Sequence, residues 1–249
     1  MFSIITCSID EARFSALHAN LSQRLQGHAH EIIRISDAKS LAEGYNRGIA
    51  QSRGDRLIFC HDDIEILSED FTDRLDGHLN QYDLVGVAGS NRIIRSEWIS
   101  AGPPHVFGHV AQVYPPGGFF VAIYAVPAKS IPGICAMDGL FFAARREVID
   151  KVRFDAQTFD GYHHYDLDFT FAAHLAGFRL AVVTDIFVFH RSTGNKDDRW
   201  KHYARLFHQK YARHLHPMSQ RTFAIAAVQV PTKEEAHEVM KQTLAAVRA

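Results

Sequence analysis

Short apolar runs alternate with amphipathic stretches through the first third of the chain. Residues 2–7, 31–35, 56–60 and 84–88 are brief and rich in β-branched or aromatic side chains. Each is bounded by polar or glycine residues, the pattern of strands buried in a sheet. Between them lie stretches with helical spacing. Phe14, Leu17, Leu21 and Leu25 recur every three to four residues, which predicts a helix over 11–25, with Asp10 as its N-cap. A second helix is expected over 40–52, where Ser40 and Glu43 form a capping box. A third is expected over 68–80. Strict alternation of strand and helix implies a parallel sheet with right-handed crossovers.

The alternation then breaks. Residues 89–133 hold several Gly and Pro and two strand-like runs, 110–114 and 119–126, as expected of an excursion across a sheet edge and over a site. A strand over 136–144 and a short helix over 145–152 follow. A longer helix spans 165–176, stopped by Gly177. The last strands are expected at 179–183 and 186–189. From Lys196 onward the chain reads as polar, basic and helical. No internal repeat and no low-complexity segment interrupts it.

Composition narrows the function classes. The chain has 249 residues, 47% hydrophobic and 22% charged, with a formal net charge of −1. That is ordinary globular composition with room for a full core, and it gives no bulk electrostatic case for nucleic acid. Cys7, Cys60 and Cys135 are far apart, and at least two sit in apolar runs, so they read as small buried hydrophobes in a reducing compartment. The N-terminus reads as a first strand, with no basic segment of a signal peptide. No run approaches the roughly 20 apolar residues of a membrane span. The protein is therefore expected in the cytoplasm. Most of the 16 histidines are expected at the surface.

Chemistry concentrates where apolar runs end. The run Arg56–Cys60 stops on His61-Asp62-Asp63. In an open α/β sheet, ligands bind at the carboxyl ends of strands. Clustered acids there repel one another unless they are solvated or share a cation. Three further places match: Asp138-Gly139, the run Tyr165-Asp166-Leu167-Asp168, and His190 after Ile186-Phe187-Val188-Phe189.

Taken in order, SLAEGYNRGIAQSRGDRLIFCHDDIEI, AMDGLFFAARREVI, YHHYDLDFTFAAHLAGFRL and IFVFHRSTG resemble the family 2 glycosyltransferases, over about residues 2–195. The resemblance implies the A-type fold of nucleotide-diphospho-sugar transferases: α/β, with a mixed, mainly parallel central sheet flanked by helices. Residues 1–195 would form the catalytic domain, and 196–249 a helical C-terminal extension packed on it. It also implies inverting transfer of a sugar from a nucleoside diphosphate sugar to a hydroxyl acceptor, by one direct displacement.

Roles follow residue by residue from the same resemblance. Asp63 falls at the family's metal ligand, and His190 at a histidine that completes metal or diphosphate contact. His61 stands where the usual Asp-x-Asp has its first acid. It is either a third ligand or a hydrogen-bonded strand-end residue. Mn²⁺ or Mg²⁺ is implied, and an imidazole tilts the choice toward Mn²⁺. Asp62 would approach the ribose or the sugar. Asn46, after Tyr45, would hold the donor side. Asp138 and Gly139 would back the donor sugar, although Asp138 also suits a plain turn. Asp166 would be the general base, although both Asp166 and Asp168 also suit a helix N-terminus. Thr6 and Ser8 open the expected uridine pocket, and Asp37 matches an acid that reads the uracil N3–H, which makes UDP the default nucleotide. Ser192-Thr193-Gly194-Asn195 would close over phosphates. Trp98, Tyr114 and Phe119 are candidates to stack on a sugar.

Two rival readings fit an α/β chain of this kind. A nucleotidyltransferase wants a Gly-rich basic loop after the first strand, and CSIDEARF is not one. A catalytically inactive nucleotide- or carbohydrate-binding protein on the same fold draws support from His61. The basic tail suits a partner, an anionic membrane surface or the chain's own sheet, and its recurrent aromatics favour the last.

Overall fold

The computed structural model describes residues 1–114, 117–192, 194, 196–217 and 226–248. The first elements are β1 (Phe2–Cys7), α1 (Glu11–Arg24), β2 (His30–Ile35), α2 (Leu41–Gln51), β3 (Arg56–Cys60), β4 (Ile64–Ile66), α3 (Phe71–Gln81), β5 (Leu84–Gly86) and β6 (Ala88–Ser90). Next are β7 (Val106–Val113), β8 (Phe119–Ala125), β9 (Ser130–Pro132), β10 (Ala136–Met137), β11 (Phe141–Arg145), α4 (Arg146–Lys151) and α5 (Tyr165–Leu175). The chain continues through β12 (Leu180–Val183), β13 (Val188–His190), α6 (Asp198–Tyr211), β14 (Ala226–Val230) and α7 (Lys233–Ala245).

The main sheet has seven strands in the order β2-β1-β3-β11-β5-β12-β9. β1 pairs in parallel with β2 and β3, and β5 with β12. β11 runs antiparallel to β3 and β5, which makes the sheet mixed. It is buried on both faces. Along β3, Ile58 and Cys60 join one apolar cluster, while Leu57 and Phe59 join the other. That explains why β3 reads as a continuous apolar run with no alternation. Phe59, Phe142, Phe154 and Phe169 form an aromatic cluster that Tyr45 meets edge-on at Phe59, with Phe154 and Phe169 ring centroids 4.2 Å apart.

A second sheet, β10-β6-β7-β13-β4, extends through β8 to β14. Two expected strands turn out to be divided between the sheets. The run 84–88 splits at Val87 into β5 and β6, and 136–144 splits at Asp138-Gly139-Leu140 into β10 and β11. These segments pair with each other twice, β5 with β11 in the main sheet and β6 with β10 in the second. An antiparallel ribbon thus passes from one sheet to the other. The Asp138 N–H donates to the Ala88 carbonyl at the crossing, 3.0 Å.

The tail also differs from the all-helical expectation. β14 pairs antiparallel with β8, and α7 packs Ala236, Met240 and Leu244 against Phe187 and Phe189. α6 docks through Phe207 and Tyr211. Its Lys210 and Tyr211 both bind the Asp168 carboxylate, each at 2.7 Å. Asp168 is buried, and this pairing braces α6 against α5. Among the described residues, no helix is long and apolar enough to cross a membrane.

Candidate active site

Three side chains from two strand ends converge. β3 ends at Cys60, and the His61 N–H donates to the Leu140 carbonyl, which sets the turn that carries Asp63. β4 then pairs antiparallel with β13, which ends at His190. His190 Nε2 lies 3.2 Å from Asp63 Oδ1 and 3.3 Å from His61 Nδ1. Ligand atoms of all three residues lie within 4.8 Å of one another. Ser192 Oγ adds a contact to His190 Nε2 at 3.2 Å. Burial works against the Asp63 carboxylate, yet the hydrogen bond and charge of His190 hold its pKa well below the usual range.

His61 has a second partner. Its Nε2 lies 2.9 Å from the Tyr165 hydroxyl. Tyr165 opens α5, and its hydroxyl also donates to the Gly139 carbonyl at 3.4 Å. Burial, then the charge of His190, pushes the His61 pKa down, which favours the neutral ring.

α5 starts through an unusual backbone. His164 has φ +64°, a left-handed conformation that non-glycine residues rarely adopt. It is held there by its Nε2, 2.9 Å from the Ser96 carbonyl, and by the Trp200 ring, 5.0 Å between centroids. This sharp entry sets Tyr165 and Asp166 against the Asp138-Gly139 crossing. A Cβ on Gly139 would come within 2.4 Å of the Tyr165 hydroxyl and 2.7 Å of Asp166 Cβ. Only glycine lets the two segments approach this closely. Gly139→Ala is expected to cost about 1–3 kcal/mol as an overpacked contact. A lowered urea midpoint with unchanged slope checks it.

Asp166 sits over that glycine. Burial, followed by the nearby Asp138 charge, raises its pKa to about 7, against the backbone N–H groups of Leu167, Asp166 and Gly139. A carboxyl titrating near neutrality is suited to taking and giving a proton. Asp138 accepts from the Trp98 indole N–H at 3.1 Å and from the Leu140 N–H at 3.0 Å.

Two cavities meet at His61, with Asp63 on the first and His190 outside both linings. The first, about 320 Å³, is lined by Cys7, Ser8, Arg13, Tyr45, Asp62 and Ser192 among others. The second, about 430 Å³, is lined by Trp98, Tyr124, Asp138, Tyr165, Asp166 and Trp200 among others. His61 and Tyr162 border both. Asp62 and Asp63 line the first, where Ser8 Oγ donates to Asp62 Oδ2 at 2.7 Å.

Other expected site residues are placed elsewhere. Thr6 is fully buried, outside the lining of the first cavity, and its hydroxyl has no partner. Asn46 turns to the Phe154 carbonyl, 2.8 Å from its Nδ2. Asp37 is exposed and held by Arg47 at 2.7 Å, outside the lining of the first cavity. Among the aromatic candidates, Trp98 lines the second cavity, whereas Phe119 packs on Phe189 and Tyr114 stands exposed against Phe120. Thr193 and Asn195 of the expected closing loop lie outside the described residues. Sequence reading missed Arg13, Tyr162 and Trp200. Trp200 carried a signal as one of only two tryptophans, at the first turn of the basic helix.

The mixed sheet, its second sheet and the carboxyl-end cleft define an A-type glycosyltransferase fold. The mannosyltransferase PcManGT from Pyrobaculum calidifontis, solved with GDP-Man and Mn²⁺, superposes with TM-score 0.50 at 12% identity, over 99% of this chain and 72% of that one. S. aureus TarS in complex with UDP superposes with TM-score 0.52 at 12% identity, over 99% and 70%. GalNAc-T7 with UDP, GalNAc and Mn²⁺ gives 0.51 at 11%, over 85% of this chain and 50% of that one. At such identities the likeness establishes the fold. No curated protein matches the chain by sequence. The family is established separately: the chain belongs to the glycosyltransferase-like family whose sequence profile matches residues 3–211.

Proposed function

We propose that this protein is a metal-dependent, inverting, hexosyltransferase-like enzyme that moves a sugar from a nucleoside diphosphate sugar to a hydroxyl acceptor. The observation that carries the proposal is the convergence of His61, Asp63 and His190 where two cavities meet, with Asp166 on the second. The catalytic unit in this reading is 1–195, with 196–249 packed on it as an extension. Free, largely buried cysteines suit the reducing cytoplasm.

The donor set fits a divalent cation. It offers one hard carboxylate oxygen and two imidazole nitrogens, which Mn²⁺ accepts and Mg²⁺ accepts less readily. The 3.2 and 3.3 Å separations are close enough for the three side chains to share one ion. A cation held there would neutralise charge growing on the diphosphate as the glycosidic bond breaks. The chain's own residues do the rest. The first cavity takes the nucleoside, with Arg13 and Ser8 near its phosphate side. The second takes the donor sugar and acceptor between aromatic walls. Asp166 accepts the acceptor hydroxyl proton while that oxygen attacks the anomeric carbon and the diphosphate departs. The product then has inverted configuration.

UDP is the default donor nucleotide from the family resemblance. Since Asp37 is engaged by Arg47, the base needs a direct test. Calorimetric titration of UDP and GDP, each with and without Mn²⁺, is expected to show metal-dependent binding of one. Absence of binding to either, under any metal condition, would overturn the donor site and favour the inactive binding protein.

A further inference from the structure

The residue facing His61 from behind is Tyr165, and the pair has a chemical consequence that rests on the donor site proposed above. We infer that the Tyr165 hydroxyl is a positioning group that fixes the tautomer of His61, turns its Nδ1 lone pair to the cation, and thereby tunes the site to Mn²⁺ over Mg²⁺.

The geometry runs in one direction. His61 Nδ1 faces His190 Nε2 at 3.3 Å, in the cluster that includes Asp63, whereas His61 Nε2 faces Tyr165 at 2.9 Å. A neutral imidazole carries one proton, and the nitrogen that ligates must be the other one. The Tyr165 hydroxyl has an acceptor within reach, the Gly139 carbonyl at 3.4 Å. With that proton donated to Gly139, the phenol oxygen accepts from His61 Nε2–H. Nδ1 is then left bare on the side of His190 Nε2. Partners of this kind, behind a ligating histidine, commonly set both its orientation and its affinity.

The consequence is selectivity. Mg²⁺ prefers hard oxygen ligands and keeps several waters, while imidazole suits ions further along the transition series. With His61 and His190 both offering ring nitrogens, Asp63 is the one hard, anionic member of the set. Tyr165 immediately precedes Asp166, so the same helix start that presents the base also holds the ligand histidine. Tyr165 is 3% exposed, and its ring packs on Tyr45 and Phe154. Tyr165→Phe therefore removes one hydroxyl and keeps the packing.

The test is Mn²⁺ binding by electron paramagnetic resonance on the full chain, with UDP or GDP present, without reference to turnover. Tyr165→Phe is expected to weaken Mn²⁺ about 10–100-fold. His61→Asp is expected to narrow the preference for Mn²⁺ over Mg²⁺ and to lose one of two imidazole nitrogen couplings to the ion. In the His61→Asp background, Tyr165→Phe is expected to change Mn²⁺ affinity less than about twofold, because the ring it orients is gone. Wild-type Mn²⁺ binding that Tyr165→Phe leaves unchanged overturns this inference and leaves the donor site standing. So does an equal loss in both backgrounds, which marks a structural effect only. A wild type that binds no Mn²⁺ at all overturns the donor site itself.

Discussion

Asp166→Asn is expected to lower turnover about 10²–10⁴-fold, the usual worth of a positioned general base. Nucleotide affinity is expected to change little, since Asp166 lines the second cavity and not the first. Release of nucleoside diphosphate from a sugar donor measures the first effect, and calorimetry the second. The pH profile carries the same chemistry. As the proposed base, Asp166 would have to be ionised, and burial and Asp138 hold its pKa near 7, so wild-type kcat/KM is expected to rise through about pH 7 and then level. Asp138→Asn removes a repelling charge and is expected to move that limb to lower pH. Stability moves the other way. A carboxyl whose folded pKa is raised binds its proton more tightly folded than unfolded, so its ionisation opposes folding increasingly from about pH 4 to about pH 7. Asp166→Asn removes that opposition. The variant is expected to melt above wild type at pH 8, with the gap closing toward pH 4. A rate within a factor of two of wild type would remove Asp166 from the reaction.

How legible was this site in the sequence? The opening alternation was, because β1, β2, β3 and the helices between them are local patterns with their own caps. Asp10 and Ser40 both cap their helices as expected. The strand-end positions of Asp63 and His190 were also legible, since apolar runs stop there. The sheet crossing was not. A buried run such as 84–88 has no polar face to show where it leaves one sheet for another, and the break at Val87 is set by its partner at 138–140. β14 was hidden for a related reason, as its pairing with β8 is decided far away in sequence. The link of His61 to His190 spans 129 residues, and that to Tyr165 spans 104. Periodicity cannot report either contact. Asp37 shows the converse: its residue type and place suited a base reader, but Arg47, one stretch of helix onward, engages it in the folded chain.

Asp63→Asn is expected to abolish metal-dependent nucleotide binding, with Mn²⁺ affinity reduced more than about 100-fold, because losing even an outer-shell partner typically costs 10–100-fold. Asp63 is the only anionic member of the three-residue set, and it is buried at 7% exposure. His61 and His190 would ligate through ring nitrogens that bring no negative charge, so a cation placed among them without Asp63 faces burial with no opposing charge from the set. The diphosphate would bring its own charge, but it would have nothing fixed to bind. Asparagine is chosen because it keeps the shape and an acceptor oxygen for His190 at the 3.2 Å contact. Its melting temperature in chelator is expected to fall at neutral pH, because the depressed pKa of Asp63 marks a pairing with His190 that stabilises the fold, so a retained cooperative melt separates loss of the ligand from loss of the fold. Adding Mn²⁺ with the preferred nucleotide is expected to raise the melting temperature of wild type and not that of the variant, since only a ligand that binds the folded state stabilises it. Equal shifts in both proteins would mean that the nucleotide's own phosphates carry the metal in, and that Asp63 serves only to hold His190 in place.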